Sequence, residues 1–96
     1  MNYTHFTLYA SYDGPFNSER ISELVSRRVD GATITFSKGL WHGEWEHSFQ
    51  VHILLKTDRA TIRGSVFNLA EELCKELRQS EVWIEQYQTT VTKVTA

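Results

Sequence analysis

The sequence predicts an α+β fold, a two-layer sandwich with the element order β-α-β-β-α-β, and three observations support this. Four segments alternate apolar and polar side chains with a period of two, which is typical of half-buried strands. Two further segments repeat apolar side chains at helical spacing. Breaks rich in Gly and Asp, one with the only Pro, separate several of these segments. A chain of 96 residues has room for one domain, so we expect a single domain over residues 1–96.

The first strand is predicted over residues 3–10, and its side chains divide between two faces. The apolar face consists of Phe6, Leu8 and Ala10, and the other face consists of Tyr3, His5, Thr7 and Tyr9. A helix is then predicted from about residue 18 to 29. Asn17 is a favourable N-cap, and Phe16 before it is placed to pack on Ile21. The apolar face of this helix comprises Ile21, Leu24, Val25 and the stem of Arg28, and Asp30-Gly31 ends it.

The second half of the chain supplies the other elements. A strand is predicted over residues 32–36, and Gly39 and Gly43 mark a loop or hairpin before the next strand, over residues 48–56. Thr57 or Asp58 is expected to cap the second helix. Its apolar stripe comprises Ile62, Val66, Leu69, Ala70, Leu73 and Leu77. The last strand is predicted over residues 82–91.

Right-handed crossovers place both helices on one face of a four-stranded antiparallel sheet, which is the ferredoxin-like arrangement. We expect the first and third strands to be central. The other face of the sheet then has no helix over it, and we call it the open face. Its predicted members are Tyr3, His5, Thr7, Tyr9, Gln50, His52, Leu54, Trp83, Glu85 and Tyr87.

Three functions suit such a semi-apolar face. A subunit interface is the simplest, with Tyr3, His5, Leu54, Trp83 and Tyr87 as candidate contacts. An enzyme pocket is the second, with His5 or His52 as base and Glu85 as its partner. Base stacking on the aromatic side chains is the third, but the net charge of −2 and the lack of surrounding Arg and Lys disfavour nucleic acid.

Composition and individual side chains exclude several other classes. No apolar run is long enough to cross a bilayer, and no signal peptide opens the chain, so we expect a cytoplasmic protein, in the host cytoplasm if the gene is viral. Cys74 is the only cysteine, which excludes an intrachain disulfide and favours a core position. His42, His47 and His52 recur every five residues, but a strand places His47 and His52 on opposite faces, so we predict no metal site.

Residues 41–57, W-H-G-E-W-E-H-S-F-Q-V-H-I-L-L-K-T, form the most distinctive stretch. The spacing of Trp41, Gly43, the acidic residues, the alternating strand and Lys56-Thr57 resembles the divalent-cation-tolerance (CutA) proteins. The opening N-Y-T-H-F-T-L-Y is similar to small PII-like proteins of phages and mobile elements. This resemblance implies a ferredoxin-like fold and a homo-oligomer, a trimer or a dimer. It supplies no cofactor and no ligand residues for this chain.

The sequence therefore favours a small non-enzymatic, homo-oligomeric binding protein of PII-like fold. It would bind a small anionic metabolite or a host protein in clefts between subunits near the Trp-containing hairpin, as a phage-encoded inhibitor or nucleotide-sequestering protein does. Candidate ligand contacts are Tyr9, Arg27, Arg28, Trp41, Trp45 and His52. Two alternatives stay open, a dimeric ferredoxin-like enzyme that uses a histidine of the open face and a nucleic-acid-binding module.

Overall fold

The computed structural model has the six elements in the predicted order, and it describes residues 2–57 and 60–96. They are β1 (Asn2–Tyr12), α1 (Ser18–Ser26), β2 (Thr33–Trp41), β3 (Glu44–Lys56), α2 (Ala60–Leu77) and β4 (Trp83–Thr90). The sheet has the order β2-β3-β1-β4, and all neighbouring strands are antiparallel. The ferredoxin-like prediction is confirmed, including the central positions of the first and third strands. Among the described residues, no helix is long and apolar enough to cross a membrane.

The core lies between the sheet and the two helices. β1 and β3 contribute the predicted apolar faces, and α1 and α2 contribute their predicted stripes. The buried apolar residues are Phe6, Leu8, Ala10, Ile21, Leu24, Val25, Val29, Phe49, Val51, Ile53, Val66, Leu69, Ala70 and Leu73. Asp58 and the side chain of Ile62, which the sequence assigned to the second helix and its cap, lie outside the described residues and side chains.

Both ends of α1 and the C-terminal end of α2 have a local explanation. The Asn17 side chain accepts a hydrogen bond from the backbone N–H of Arg20 at 3.1 Å, which confirms the predicted cap. α1 ends at Ser26, earlier than the predicted residue 29, because the N–H groups of Arg28 and Val29 both donate to the carbonyl of Val25 in a tighter turn. α2 ends where Arg78 adopts a φ of 55°, and the next N–H reaches back to the carbonyl of Cys74 at 3.0 Å.

β2 and β3 extend beyond the end of β1 as a two-stranded hairpin arm, residues 38–47. The sequence predicted a loop or hairpin at Gly39 and Gly43, and the structure has a hairpin in which only two residues turn. His42 and Gly43 have φ angles of 50° and 81°, the signs of a type I′ turn, which continues the twist of the strands. Gly39 lies within β2 opposite Glu46, where a Cβ would lie 3.3 Å from the Glu46 Cγ atom.

β1 is longer than predicted, and the break expected at Ser11 occurs after Tyr12. Ser11 pairs with Ser48 and Tyr12 with His47, so β3 supplies ladder partners to the end of β1. The Tyr12 ring also packs on Phe49 at a centroid distance of 6.1 Å. At the other margins, Ala32, Val82 and Val91 lie outside the strands to which the sequence assigned them.

Candidate functional site

The open face has the predicted composition, because the strand registers place its side chains opposite one another. Thr7 is central, with His52 of β3 on one side and Glu85 of β4 on the other. His5 lies between Leu54 and Tyr87, and Tyr9 lies between Gln50 and Trp83, so these rows share one face. Thr7 is nevertheless only 3% exposed, because larger side chains surround its hydroxyl.

A chain of hydrogen bonds runs across this face from β1 to β2. The Thr35 hydroxyl donates to Gln50 Oε1 at 3.1 Å and also lies 3.0 Å from His52 Nε2. The Thr7 hydroxyl lies 3.4 Å from both His52 Nδ1 and His5 Nδ1. Gln50 Nε2 continues the chain by donating to Ser37 Oγ at 2.8 Å.

With the Gln50 amide oxygen facing Thr35, one set of tautomers satisfies all of these contacts. Since Thr35 has one proton and donates it to Gln50, His52 Nε2–H must donate to Thr35. His52 Nδ1 is then an acceptor for the Thr7 hydroxyl, and Thr7 in turn accepts from His5 Nδ1–H. In the neutral state His5 Nε2 therefore has a lone pair and no partner within this chain of bonds. That atom is the free acceptor at the end of the network.

The ring of His5 is held by its neighbours. It stacks on Tyr87 with a centroid distance of 4.8 Å and an interplanar angle of 25°. The His52 ring lies 5.8 Å away, tilted by 45°. Hydrogen bonding at Nδ1 and stacking on one face fix the orientation of the imidazole, which is what a general base requires.

Tyr9 and Glu85 form a second polar pair on the open face. The Tyr9 hydroxyl donates to Glu85 Oε1 at 3.2 Å. Partial burial, followed by the hydrogen bond to Glu85 and its charge, raises the pKa of Tyr9 above its usual value of 10.0. Tyr9 is therefore a neutral donor at physiological pH.

Substituting Glu85→Gln is expected to lower the Tyr9 pKa toward 10, because the carboxylate opposes ionisation of the phenol. The raised pKa of Tyr9 stabilises the folded state at pH values below the pKa of tyrosine in the unfolded chain. That contribution is lost as the pH rises through the pKa of Tyr9 in the folded protein. Ultraviolet titration of the wild type, with the Tyr9→Phe spectrum subtracted, measures the midpoint. An unchanged midpoint in the Glu85→Gln variant would contradict the pairing.

A pocket of about 660 Å³ adjoins this network at the end of the sheet where β2 begins. It lies between the loop after α1 and the last residues of β3, and its volume suits a small-molecule ligand. Its wall combines polar, cationic and apolar groups, among them Tyr3, Arg28, Thr33, His52, Leu54 and Lys56. His52 belongs both to this wall and to the hydrogen-bond chain, so it joins the two features.

The predicted ligand contacts are only partly brought together. Arg28 lines the pocket and pairs with Glu72, its Nε atom lying 2.9 Å from Glu72 Oε1. Arg27 pairs with Glu23 on the exposed surface of α1 and does not line the pocket. Tyr9 lies on the open face two residues from Thr7.

The two Trp residues of the hairpin arm do not fold back on the body of the molecule. Trp41 is 56% exposed and Trp45 is 70% exposed. Trp41 pairs with Glu44 and Trp45 with Leu40, so the two indoles belong to opposite faces of the arm. Neither lines the pocket, and their predicted role in a cleft between subunits stays a prediction.

The histidines that recur every five residues are separated by the fold. His52 contacts Thr7 on the open face, whereas His47 stacks on Tyr12 at 5.4 Å on the helix side. His42 occupies the turn of the hairpin arm and contacts Trp41. No group of three or more metal-ligating side chains occurs in the part of the chain that the structure describes. Cys74 is partly buried on α2.

The sequence matches no protein-family model and no curated protein. Solved structures do match it. A phage SAM lyase in complex with S-methyl-5'-thioadenosine aligns with a TM-score of 0.71 and 15% identity over 93% of this chain and 90% of the other. The apo state of a phage SAM lyase aligns with a TM-score of 0.65 and 16% identity over 97% and 89%.

A PII-like protein also shares the fold. CPII, a nitrogen regulatory PII-like protein from Thiomonas intermedia K12 bound to ADP, AMP and bicarbonate, aligns with a TM-score of 0.57. Its identity is 13%, over 97% of this chain and 98% of the other. What these chains share is the fold. The predicted PII-like resemblance is confirmed at that level, and the aligned proteins include small-ligand binders.

The non-enzymatic main interpretation of the sequence is wrong. Two of the aligned solved structures are of an enzyme, the phage SAM lyase, and they have the higher TM-scores of the three. The alternative of a ferredoxin-like enzyme with a histidine on the open face agrees better with these comparisons. Composition alone did not separate the alternatives, because the same aromatic and histidine side chains suit an interface and a pocket.

Sequence reasoning missed three features of the candidate site. Thr7 and Thr35 were placed on strands without a role, although each hydroxyl contacts an imidazole. Lys56 was taken only as part of a family-like Lys-Thr ending, yet it lines the pocket beside Arg28. The alternation that puts Thr7 between His5 and Tyr9 on one face was the available signal.

Proposed function

We propose that this chain is an enzyme that cleaves a carbon–sulfur bond of S-adenosylmethionine and releases S-methyl-5'-thioadenosine. The observation that carries the proposal is the hydrogen-bond chain that holds His5 and His52 next to a pocket of about 660 Å³, because His52 lines that pocket and His5 pairs with Leu54 of its wall. The likeness to the phage SAM lyase over 93% of the chain supplies the substrate class. This likeness and the geometry of the pocket together support the choice of S-adenosylmethionine as the substrate.

The reaction requires little beyond positioning. A sulfonium leaves as a neutral thioether, so the bond from sulfur to the γ-carbon of the aminobutyrate chain breaks and its electron pair stays on sulfur. The remaining four-carbon aminobutyrate fragment becomes a stable product in one of two ways. Either His5 Nε2 takes a proton from the β-carbon and a C=C bond forms, or the substrate carboxylate closes a C–O bond to the γ-carbon with no proton transfer. Both routes release S-methyl-5'-thioadenosine.

The pocket is the proposed nucleoside site. Tyr3 and Leu54 offer apolar surface to the base, and Thr33 offers a hydroxyl to the ribose. His52 and Glu85 flank Thr7 from β3 and β4 respectively, about 10 Å apart at two strand spacings. Leu54 of the pocket wall pairs with His5, so a nucleoside in the pocket can extend its sulfur across the open face toward His5.

We also infer that the enzyme is a homo-oligomer, a trimer or a dimer, with the site at a subunit boundary. The exposure of Trp83, Tyr87 and Leu54, at 61%, 51% and 39%, supports a second surface over the open face. A cytoplasmic location, in the host cytoplasm if the gene is viral, is part of the same proposal.

Incubating the purified protein with S-adenosylmethionine is expected to produce S-methyl-5'-thioadenosine, detected by liquid chromatography and mass spectrometry. The accompanying fragment distinguishes the routes, because an unsaturated amino acid indicates proton abstraction and a lactone indicates ring closure. A heat-denatured sample measures spontaneous breakdown of the sulfonium. Product formation no faster than in that sample would refute the proposed function.

A further inference from the structure

We propose that Tyr9, Trp83, Glu85 and Tyr87 form a binding site for an onium cation, in which Glu85 lies between two aromatic residues of β4 and accepts a hydrogen bond from the third aromatic residue, Tyr9. Trp83, Glu85 and Tyr87 alternate along β4, so all three side chains share the open face. Tyr9 lies directly opposite Trp83 and donates to Glu85 at 3.2 Å. The four side chains thus line one patch at the edge of the sheet.

The charges of the patch suit a cation. Glu85 forms no ion pair with any lysine or arginine whose side chain the structure describes. The Tyr9 hydroxyl donates a hydrogen bond to Glu85 Oε1, and the raised pKa of Tyr9 keeps the phenol neutral beside the carboxylate. Glu46 adds a second carboxylate toward the hairpin arm, where it accepts from Ser11 at 2.9 Å.

The aromatic members determine which kind of cation fits. Tyr9, Trp83 and Tyr87 are 41%, 61% and 51% exposed, and although one face of the Tyr87 ring is covered by His5, the remaining aromatic surface is accessible to a ligand in the protomer. Aromatic faces attract methylated, weakly hydrated cations such as quaternary ammonium groups, whereas a compact ammonium ion keeps its water. Tyr87 is held in place by its stack on His5. The site therefore favours a sulfonium or quaternary ammonium group over lysine or an inorganic ion.

The natural ligand of the site is assigned from the proposed function, on which this step rests. In that assignment the site holds the sulfonium of S-adenosylmethionine. His5 and Glu85 both adjoin Thr7 on the open face, so a sulfonium at Glu85 brings its aminobutyrate chain near His5. After the carbon–sulfur bond breaks, the thioether is neutral and loses its attraction to the carboxylate. The site thus discriminates between substrate and product by charge.

The test compares two stable ligands of similar shape by calorimetry. One is S-adenosylhomocysteine, a neutral thioether, and the other is the analogue in which a protonated, methylated nitrogen replaces the sulfonium. The wild type is expected to bind the cationic ligand more tightly, and Glu85→Gln or Trp83→Ala should reduce that preference by about tenfold. Glu81→Gln removes the same charge just outside β4 and should leave the preference unchanged. An equal preference in Glu85→Gln and wild type would overturn the inference.

A smaller probe separates failure of the site from failure of the proposed function. Titrating trimethylsulfonium into the protein should shift the Trp83 indole N–H signal in a saturable way, with the signal assigned from Trp83→Phe. The Glu85→Gln variant should lose that shift. A shift without any turnover would keep the onium site and reject the enzyme. Turnover without a shift, or with the same shift in Glu85→Gln, would reject the onium site.

Discussion

Replacing Phe49 with alanine is expected to lower the free energy of unfolding by about 3–5 kcal/mol. Phe49 is fully buried at the centre of β3, and its ring packs on Phe16 at a centroid distance of 5.0 Å. Removing it deletes most of a large side chain and leaves a cavity between the sheet and the start of α1. A domain of this size has a total stability of roughly 5–15 kcal/mol, so the loss is large.

Urea unfolding followed by circular dichroism measures this change. Trp45→Ala is the matched control, because Trp45 also lies on β3, on the same side of the strand, but is 70% exposed. Its substitution is expected to change stability by no more than about 0.5 kcal/mol in a monomeric sample. Similar losses in both variants would mean that the hairpin arm is packed in solution and that the exposed indole has a partner.

The contrast between Phe49 and Trp45 also shows how far the sequence predicts this fold. The alternation in β1 and β3 predicted which side chains face the helices. With a period of two, the apolar side chains of a strand share one face, and that face packs on the core. The alternation did not show where the helix layer over the sheet ends. Trp45 continues the alternation of Phe49, yet β1 ends at Tyr12 opposite His47, so the arm beyond it has no layer on either side.

Element lengths were predicted less well than element order, for local reasons. His42-Gly43 is not one of the usual Asn-Gly or Asp-Gly pairs, so the two-residue turn was not recognised and the strands on either side of it were predicted too short. Ser11 has weak strand preference, but the ladder with Ser48 outweighs it. In each case a partner on another strand decided the outcome.

The site was predictable as a face but not as a mechanism. The alternation placed His5, Tyr9, His52 and Glu85 on one side of the sheet, and the register confirms this. Which histidine is proposed as the base follows only from hydrogen bonds between strands that are distant in sequence, such as that between Thr35 and His52. The pocket likewise depends on the distance between the loop after α1 and β3, which no local pattern encodes.

Substituting His5→Ala is expected to lower kcat/KM for S-adenosylmethionine cleavage by at least about a hundredfold, the usual contribution of a general base. His5 Nε2 is the one imidazole nitrogen of the network that has a lone pair and no partner in the chain of bonds. The substitution removes that lone pair and also the ring on which Tyr87 stacks. Initial rates of S-methyl-5'-thioadenosine formation measure the effect, and His42→Ala in the exposed turn is the control, expected to leave the rate unchanged.

Thr7→Val tests whether the network positions His5 or merely fills space. Valine keeps the volume but removes the hydroxyl that accepts from His5 Nδ1–H, so the imidazole loses its tautomer preference. Nitrogen-15 NMR should show the Nδ1–H tautomer of His5 in the wild type and a mixture in Thr7→Val, together with a lower kcat at similar KM.

A His5→Ala enzyme that retains full activity and releases a lactone would contradict proton abstraction. In that case His5 has no role as a base, and the chain acts by orienting the substrate for its own ring closure.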